Sequence, residues 1–113
     1  MKKIIFALMI LTLSINLYAL TKNEKAFLKA AENGDIETVR YLINSEVDID
    51  AQDNDGNTAL SIAVLSGNSS TVKLLLDYSA DHSIKNKYGQ TAMDIAKKEK
   101  NYEIIGILEH YRK

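Results

Sequence analysis

The amino-acid sequence predicts an all-α solenoid built from three stacked helix-turn-helix units. The first observation behind this prediction is a 33-residue period in a chain of 113 residues. The second is a turn signature, a glycine followed by a spaced Thr-Ala pair, which occurs twice at that period. Such a period is typical of repeat proteins, in which each unit buries its apolar face only by stacking on a neighbour. The recurring positions are Ala30, Ala63 and Ala96; Gly34 and Gly67; Val39, Val72 and Ile105; Leu42, Leu75 and Leu108; Asp48 and Asp81; and Gly56-x-Thr58-Ala59 and Gly89-x-Thr91-Ala92.

The middle unit, residues 53–85, shows most clearly how one period folds. Residues 53–56, Asp-Asn-Asp-Gly, form a turn cluster whose glycine accepts a positive φ without steric cost. Thr58 follows as the candidate N-cap of a short helix rich in small apolar residues, and Gly67 ends that helix. Residues 70–77 form a second helix with four apolar side chains. We therefore expect each unit to consist of a turn, a helix, a second turn and a second helix.

This middle unit resembles the ankyrin repeat. Ser61 stands where that family carries a histidine that hydrogen-bonds between neighbouring units. Glu46 and Ser79 occupy turn positions where the family usually carries glycine, and a left-handed backbone there would cost each about 1–2 kcal/mol. The resemblance implies the ankyrin fold with modest stability. The matching residues are Asp53-x-x-Gly56-x-Thr58-Ala59-Leu60, then Ala63, Gly67 and Val72-x-x-Leu75-Leu76.

The resemblance extends over both outer units and covers residues 20–113. Residues 20–52 lack the turn signature but contain a charged amphipathic helix, as an N-terminal capping repeat does. Residues 86–113 keep the signature and then carry Lys100 in place of the expected glycine. Residues 97–100 make the outer side of this last unit polar, which a terminal repeat needs to stay soluble. Three repeats are the minimum for a stable array, and we expect a monomer.

Residues 1–19 have the layout of a cleaved secretory signal peptide. Lys2 and Lys3 give a basic start, residues 4–13 are almost entirely apolar, and Ala19 supplies a small residue at the cut. The alternative is an uncleaved anchor, but a membrane-spanning helix needs about 20 predominantly apolar residues. We therefore predict export from a bacterial cell, to the periplasm or beyond, with no membrane attachment after cleavage.

Charge and composition restrict the class of partner. Without Lys2 and Lys3, 12 basic residues stand against 15 acidic ones, which gives a net charge of −3. Nucleic-acid binding normally requires a concentrated basic face, so we expect no nucleic-acid partner. The chain contains no cysteine, and this composition fits export without disulfide bonds.

Three groups of polar residues resemble catalytic or metal sites but lack the spacing that those sites require. Residues 48–56, Asp-x-Asp-x-x-Asp-x-Asp-Gly, lack the full ligand set of an EF-hand loop, so we assign these acids to the turn between units. His82 and His110 have no histidine or cysteine at metal-ligand spacing. We expect His82 in a partly buried turn and His110 near a helix C-terminus. Residues 69–70, two serines, have no partner histidine. We predict neither enzyme activity nor a cofactor.

The five tyrosines that follow the predicted signal peptide fall into two groups. Tyr41, Tyr78, Tyr102 and Tyr111 lie on or beside second helices, where we expect them to cover the edge of the core. Tyr88 instead lies at the tip of the turn between the second and third units. Aromatic side chains dominate binding hot spots, so we predict that Tyr88 contacts a partner. The alternative is that Tyr88 packs on the neighbouring turn.

The resemblance to ankyrin proteins implies a concave recognition surface made of the turn tips and the exposed sides of the first helices. We expect Leu65 to face outward from it, although Leu65 is apolar. The charge of this surface changes from acidic to basic along the array, which favours a dipolar partner; the alternative is ordinary solvated surface. Neighbouring positions on it are Glu32, Asn33, Gln52 and Glu99. The candidate partner-binding residues themselves are Asn54, Asp55, Asn57, Leu65, Ser66, Lys85, Lys87, Tyr88, Gln90 and Lys98.

Three functional hypotheses follow. The first, which we favour, is a non-enzymatic protein–protein interaction module that is secreted to the periplasm and binds a partner protein through the concave surface. The second rests on the resemblance to small exported bacterial ankyrin proteins, some of which are linked to haem delivery to catalase. It implies a role in oxidative-stress defence, with Tyr88 as the candidate ligand of haem iron. The third is an immunity protein that neutralises a toxin in the periplasm.

Overall fold

The structure, a computed structural model, describes residues 20–112 of the chain. These residues contain six α-helices joined by turns. This part contains no β-strand, so the predicted all-α class is confirmed. The predicted signal peptide, residues 1–19, lies outside the described residues. No helix between residues 20 and 112 combines the length and the apolarity needed to cross a membrane. The helices are α1 (Lys22–Asn33), α2 (Ile36–Asn44), α3 (Ala59–Leu65), α4 (Ser69–Asp77), α5 (Ala92–Lys98) and α6 (Tyr102–Arg112).

A threonine begins the first helix of every unit. The hydroxyl oxygens of Thr21, Thr58 and Thr91 accept hydrogen bonds from the backbone N–H three residues later, at 3.0, 3.2 and 3.2 Å. The predicted cap at Thr58 is therefore confirmed. In α5 the backbone N–H of Thr91 also donates to the Asp94 carboxylate, and this bond helps to hold the pKa of Asp94 below its ordinary value. Since each cap satisfies an N–H without an intrahelical partner, the threonines fix where the helices start.

The helices form two layers that extend along the array. The first helices, α1, α3 and α5, pack side by side in one layer, and the second helices, α2, α4 and α6, pack side by side in the other. Alanine recurs at the buried positions 30, 63 and 96 of the first helices, where a small side chain permits close approach. One continuous apolar cluster joins all three units. Its largest fully buried members are Phe27, Val39, Leu60, Val64, Val72, Leu75, Ile95 and Ile104.

The last unit ends the stack by exchanging apolar side chains for polar ones. Val64 is buried in the middle unit, whereas its equivalent in the last unit, Lys97, is exposed. Leu76 is likewise buried, and its equivalent, Glu109, is exposed. The first unit does the same on its outer side, where exposed Lys29 stands at the position of the half-buried Ile62. The polar outer face predicted for the last unit is confirmed, and it limits further stacking.

Between residues 20 and 112, three non-glycine residues hold a left-handed backbone. Glu46, Ser79 and Lys100 have φ values of 65°, 66° and 54°. Ser79 and Glu46 follow the second helices of the first two units, and Lys100 follows the first helix of the third. L-residues pay about 1–2 kcal/mol for this conformation. Modest stability was expected if Glu46 and Ser79 were left-handed, and both are; Lys100 is a third such position.

Three of the four tyrosines on or beside the second helices differ from the prediction that they cover the edge of the core. Tyr41, Tyr78 and Tyr102 are 70%, 42% and 76% exposed, because their positions on and beside the second helices point away from the stack. Tyr111 alone of the four packs against the core. Its hydroxyl donates to the carboxylate of Asp77 in the preceding unit, and this bond raises the pKa of Tyr111. Tyr111 thus ties α6 to α4.

Replacing Glu46, Ser79 or Lys100 with glycine should raise the free energy of unfolding. Relief of the left-handed strain outweighs the extra freedom of glycine in the unfolded chain, so we expect a gain of about 0.5–1 kcal/mol per site. Urea unfolding followed by circular dichroism measures it. The control is Lys73→Gly in the middle of α4, which should lose about 1 kcal/mol. A loss of stability at the three left-handed positions would contradict this account of strain.

Candidate functional site

Two turns of the same design project from the stack, and we call them finger 1 (residues 52–57) and finger 2 (residues 85–90). In finger 1 the Oδ1 atom of Asp53 accepts hydrogen bonds from the backbone N–H groups of Asp55 and Asn57, both at 2.9 Å. In finger 2 the Oδ1 atom of Asn86 accepts the equivalent bonds from Tyr88 and Gln90, at 2.9 and 3.0 Å. One side chain therefore holds each finger in shape.

The two fingers are bonded to each other. The Asn86 Nδ2 atom donates to Asn57 Oδ1 at 3.1 Å, and the backbone N–H of Lys87 donates to the carbonyl of Asp55 at 2.9 Å. The Lys87 ammonium also lies 2.6 Å from the Asp55 carboxylate. A Cβ atom at Gly56 would lie 2.9 Å from the backbone nitrogen of Lys87, so only glycine allows this approach. Polar contacts thus join the two fingers.

Asn57 is a correction to the predicted surface. We expected its side chain to contact a partner, but it is only 9% exposed. Its Oδ1 atom accepts from Asn86, and its backbone N–H donates to Asp53. The two fingers lie in close contact, so finger 2 covers the Asn57 side chain, which faces the next unit. Sequence analysis missed Asn86 itself, although its position 33 residues after Asp53 is a detectable signal.

Tyr88 is exposed at the tip of finger 2, as predicted. Its side chain is 69% exposed, and the ammonium of Lys87 lies 5.2 Å from the centre of its ring. The pKa of Lys87 is raised, mainly by the hydrogen bond to Asp55 and secondly by the contact with Tyr88. This cation therefore stays charged at neutral pH and holds one face of the ring. The alternative in which Tyr88 ligates haem iron stays a hypothesis, which a shift of the Soret band of added haemin would test.

The remaining candidate residues lie around the fingers and the ends of the first helices. Asn54, Asp55 and Lys85 are exposed on the fingers. Gln90 is half-buried, and its Oε1 atom accepts from Asn86 Nδ2 at 3.0 Å. The Gln52 amide donates to the carbonyl oxygens of Gly56 and Lys85, at 2.7 and 3.3 Å, and so links both fingers. The exposed residues at the helix ends are Ser66 after α3, Lys98 at the end of α5, and Leu65.

Leu65 borders a groove that joins finger 1 to the first helices. The groove encloses about 320 Å³, and Leu65, at its edge, is 49% exposed. Its apolar lining comes from Leu65, the half-buried Ile62 and the buried Leu28. Its polar lining comes from Lys25, Lys29, Glu32, Asp53 and Ser66. The predicted outward orientation of Leu65 is confirmed, and the groove is large enough for one apolar side chain with charged groups around it.

The acidic run of residues 48–56 shapes and connects turns, as predicted. Asp48 accepts from the backbone N–H of Asp50 at 3.0 Å, and Asp50 accepts from that of Asp81 in the next unit at 2.9 Å. Within residues 20–112, no group of three or more histidines, cysteines or acids is placed to hold a metal ion. His82 is half-buried in a turn and His110 lies in the last turn of α6, as expected.

The substitution Asn86→Ala should destabilise the protein by about 1–3 kcal/mol, because it leaves two finger N–H groups and the buried Asn57 amide without their partner. Asn86→Asp keeps the acceptor that Asp53 supplies in finger 1, so it should lose less than half as much. Asn54→Ala, at an exposed position of finger 1, is the control for mutation of a turn. Thermal unfolding measures all three. An Asn86→Ala variant as stable as the parent protein would contradict this role.

Comparison with known proteins identifies the family. The family model described as ankyrin repeats, in three copies, matches residues 5–86 and 27–112. A search of curated proteins found none that matches the chain. Ankyrin repeats are generally protein–protein interaction modules, and their domains are typically non-enzymatic. The periodic threonine caps, paired helix layers and projecting fingers agree with the family match, and this chain belongs to the ankyrin-repeat family.

Proposed function

We propose that this protein is an exported, non-enzymatic binding protein that holds a partner protein on its fingers and first helices. The observation that carries the proposal is the pair of exposed apolar side chains on this side of the stack. Tyr88 stands at a fingertip and Leu65 borders the groove, with 69% and 49% of their surfaces exposed. Neither side chain is part of the buried core, so burial of both by a partner would gain free energy.

The rigidity of the fingers supports this proposal. Hydrogen bonds inside each finger and between the fingers fix the backbone on which Tyr88 is displayed. A preformed surface loses little conformational freedom on binding, so more of the contact energy appears as affinity. A standard interface occupies about 800 Å² of each partner. Two fingers and three helix ends are a suitable framework for that area.

The double substitution Leu65→Ala and Tyr88→Ala should weaken binding at least tenfold, because it truncates both proposed anchors. Thermal unfolding should change little, since both side chains are exposed. The partner is first recovered by affinity-tagged purification and mass spectrometry, and affinity is then measured by calorimetry. Tyr41→Ala with Tyr102→Ala is the matched control, because these tyrosines lie on the second-helix side and are at least as exposed as Tyr88 and Leu65. Unchanged affinity of the first double variant, or equal weakening of the control, would contradict the assignment.

Export rests on a different part of the chain, residues 1–19. Their basic start, apolar stretch and terminal alanine support a cleaved signal. Fusion of residues 1–25 to alkaline phosphatase should give activity in the bacterial periplasm, and the purified fusion should begin at Leu20. The control is Leu8→Arg, which interrupts the apolar stretch and should abolish that activity. An inactive parent fusion, or one that retains residues 1–19, would contradict cleavage.

A further inference from the structure

A row of three side chains crosses the ends of the first helices. Glu32, Leu65 and Lys98 occupy equivalent positions, 33 residues apart, in the last turns of α1, α3 and α5. These helices pack side by side, so the row runs along the array. It presents an acid, an apolar group and a base in that order. All three side chains are exposed.

Neighbouring charges and helix dipoles modify the electrostatic potential at each end of this row. Glu32 lies near the C-terminus of α1, where the helix dipole adds negative potential and favours a cation. Glu32 forms an ion pair with Lys29 at 2.9 Å, and exposed pairs of this kind are weak enough for Glu32 to exchange Lys29 for a cation of the partner. Lys25 and Lys29 also line the groove, so the acidic end of the row is the single carboxylate of Glu32. At the other end, Lys97 and Lys98 in the last turn of α5 offset the dipole of that helix. Lys85 in finger 2 adds to the positive charge on this side, whereas Glu99, beyond α5, reduces it.

We infer that this surface binds an extended peptide segment with a defined order of charges: a basic residue over α1, an apolar residue in the groove beside Leu65, and an acidic residue over α5. The inference rests on the proposed protein-binding function and adds the chemistry of the bound segment. The apolar residue is assigned by the groove, whose lining includes Leu28, Ile62 and Leu65. The two charged residues are assigned by complementarity to Glu32 and Lys98.

Helix spacing sets the distance between the three recognition residues. Neighbouring packed helices lie about 8–10 Å apart, and an extended chain advances about 3.3 Å per residue. The segment therefore places its charged residues about three positions before and after its apolar residue. An L-peptide presents its side chains differently in its two directions, so we expect one direction, and with it one order of charge along the peptide, to be preferred.

A charge exchange on the protein tests this inference. A phage-displayed library of random twelve-residue peptides is selected on protein purified after expression of the full-length chain, and separately on the Glu32→Lys, Lys98→Glu double variant. The two proteins have the same net charge. We expect the parent to select peptides with an apolar residue between opposite charges, and the variant to select the reversed order. A peptide selected by the parent should bind the variant at least tenfold more weakly in fluorescence anisotropy.

A matched control separates a local effect from a general one. The exchange Lys73→Glu with Glu103→Lys changes exposed charges on α4 and α6, on the second-helix side, and should leave the selected peptides unchanged. Two results would overturn the inference and leave the binding surface intact. In the first, the selected peptides lose affinity for Leu65→Ala but show no order of charge. In the second, they keep the same order of charge on the exchanged variant. Peptides that bind Leu65→Ala as well as the parent, or a library without binders, would overturn the inference; the first result also contradicts the proposed surface.

Discussion

Stacking between neighbouring units is the constraint on which the rest of this structure depends. The first helices of the second and third units have only seven residues each, and isolated helices shorter than about 12–15 residues are marginal in water. Leu60 and Ala63 are nevertheless almost fully buried, because helices on both sides of α3 cover it. The core therefore belongs to the array and not to any single unit, and both ends of the array carry polar side chains where stacking stops.

The same translation that builds the core also builds the surface. Each 33-residue step repeats a finger and a helix end, so side chains at equivalent positions line up across neighbouring units. Bonding between the fingers, through Asn86 and Asn57, turns two loops into one rigid edge. The scaffold fixes where a side chain is displayed, while the identity of each residue decides what it recognises. Glu32, Leu65 and Lys98 occupy one structural position with three different chemistries.

Much of the fold was predictable from the sequence, because periodic threonines, glycines and leucines have local physical consequences. Thr58 was predicted to cap a helix because it follows a turn, and Leu65 was predicted to face outward because the chain resembles ankyrin repeats. The failures came from contacts between units. Asn57 was expected on the surface, but the neighbouring finger covers it. Tyr41 and Tyr102 were expected at the edge of the core, but they are exposed. The residue types in a helix do not show which of its faces the neighbouring helices leave exposed.

Dependence of each unit on its neighbours is tested most directly with the isolated middle unit. Circular dichroism of a peptide comprising residues 53–85 is compared with that of residues 20–113 under the same conditions. We predict that the single unit is largely unfolded and shows no cooperative thermal transition, whereas the three-unit chain is helical and unfolds cooperatively. A helical peptide of residues 53–85 with its own cooperative transition would contradict the claim that stacking creates the fold.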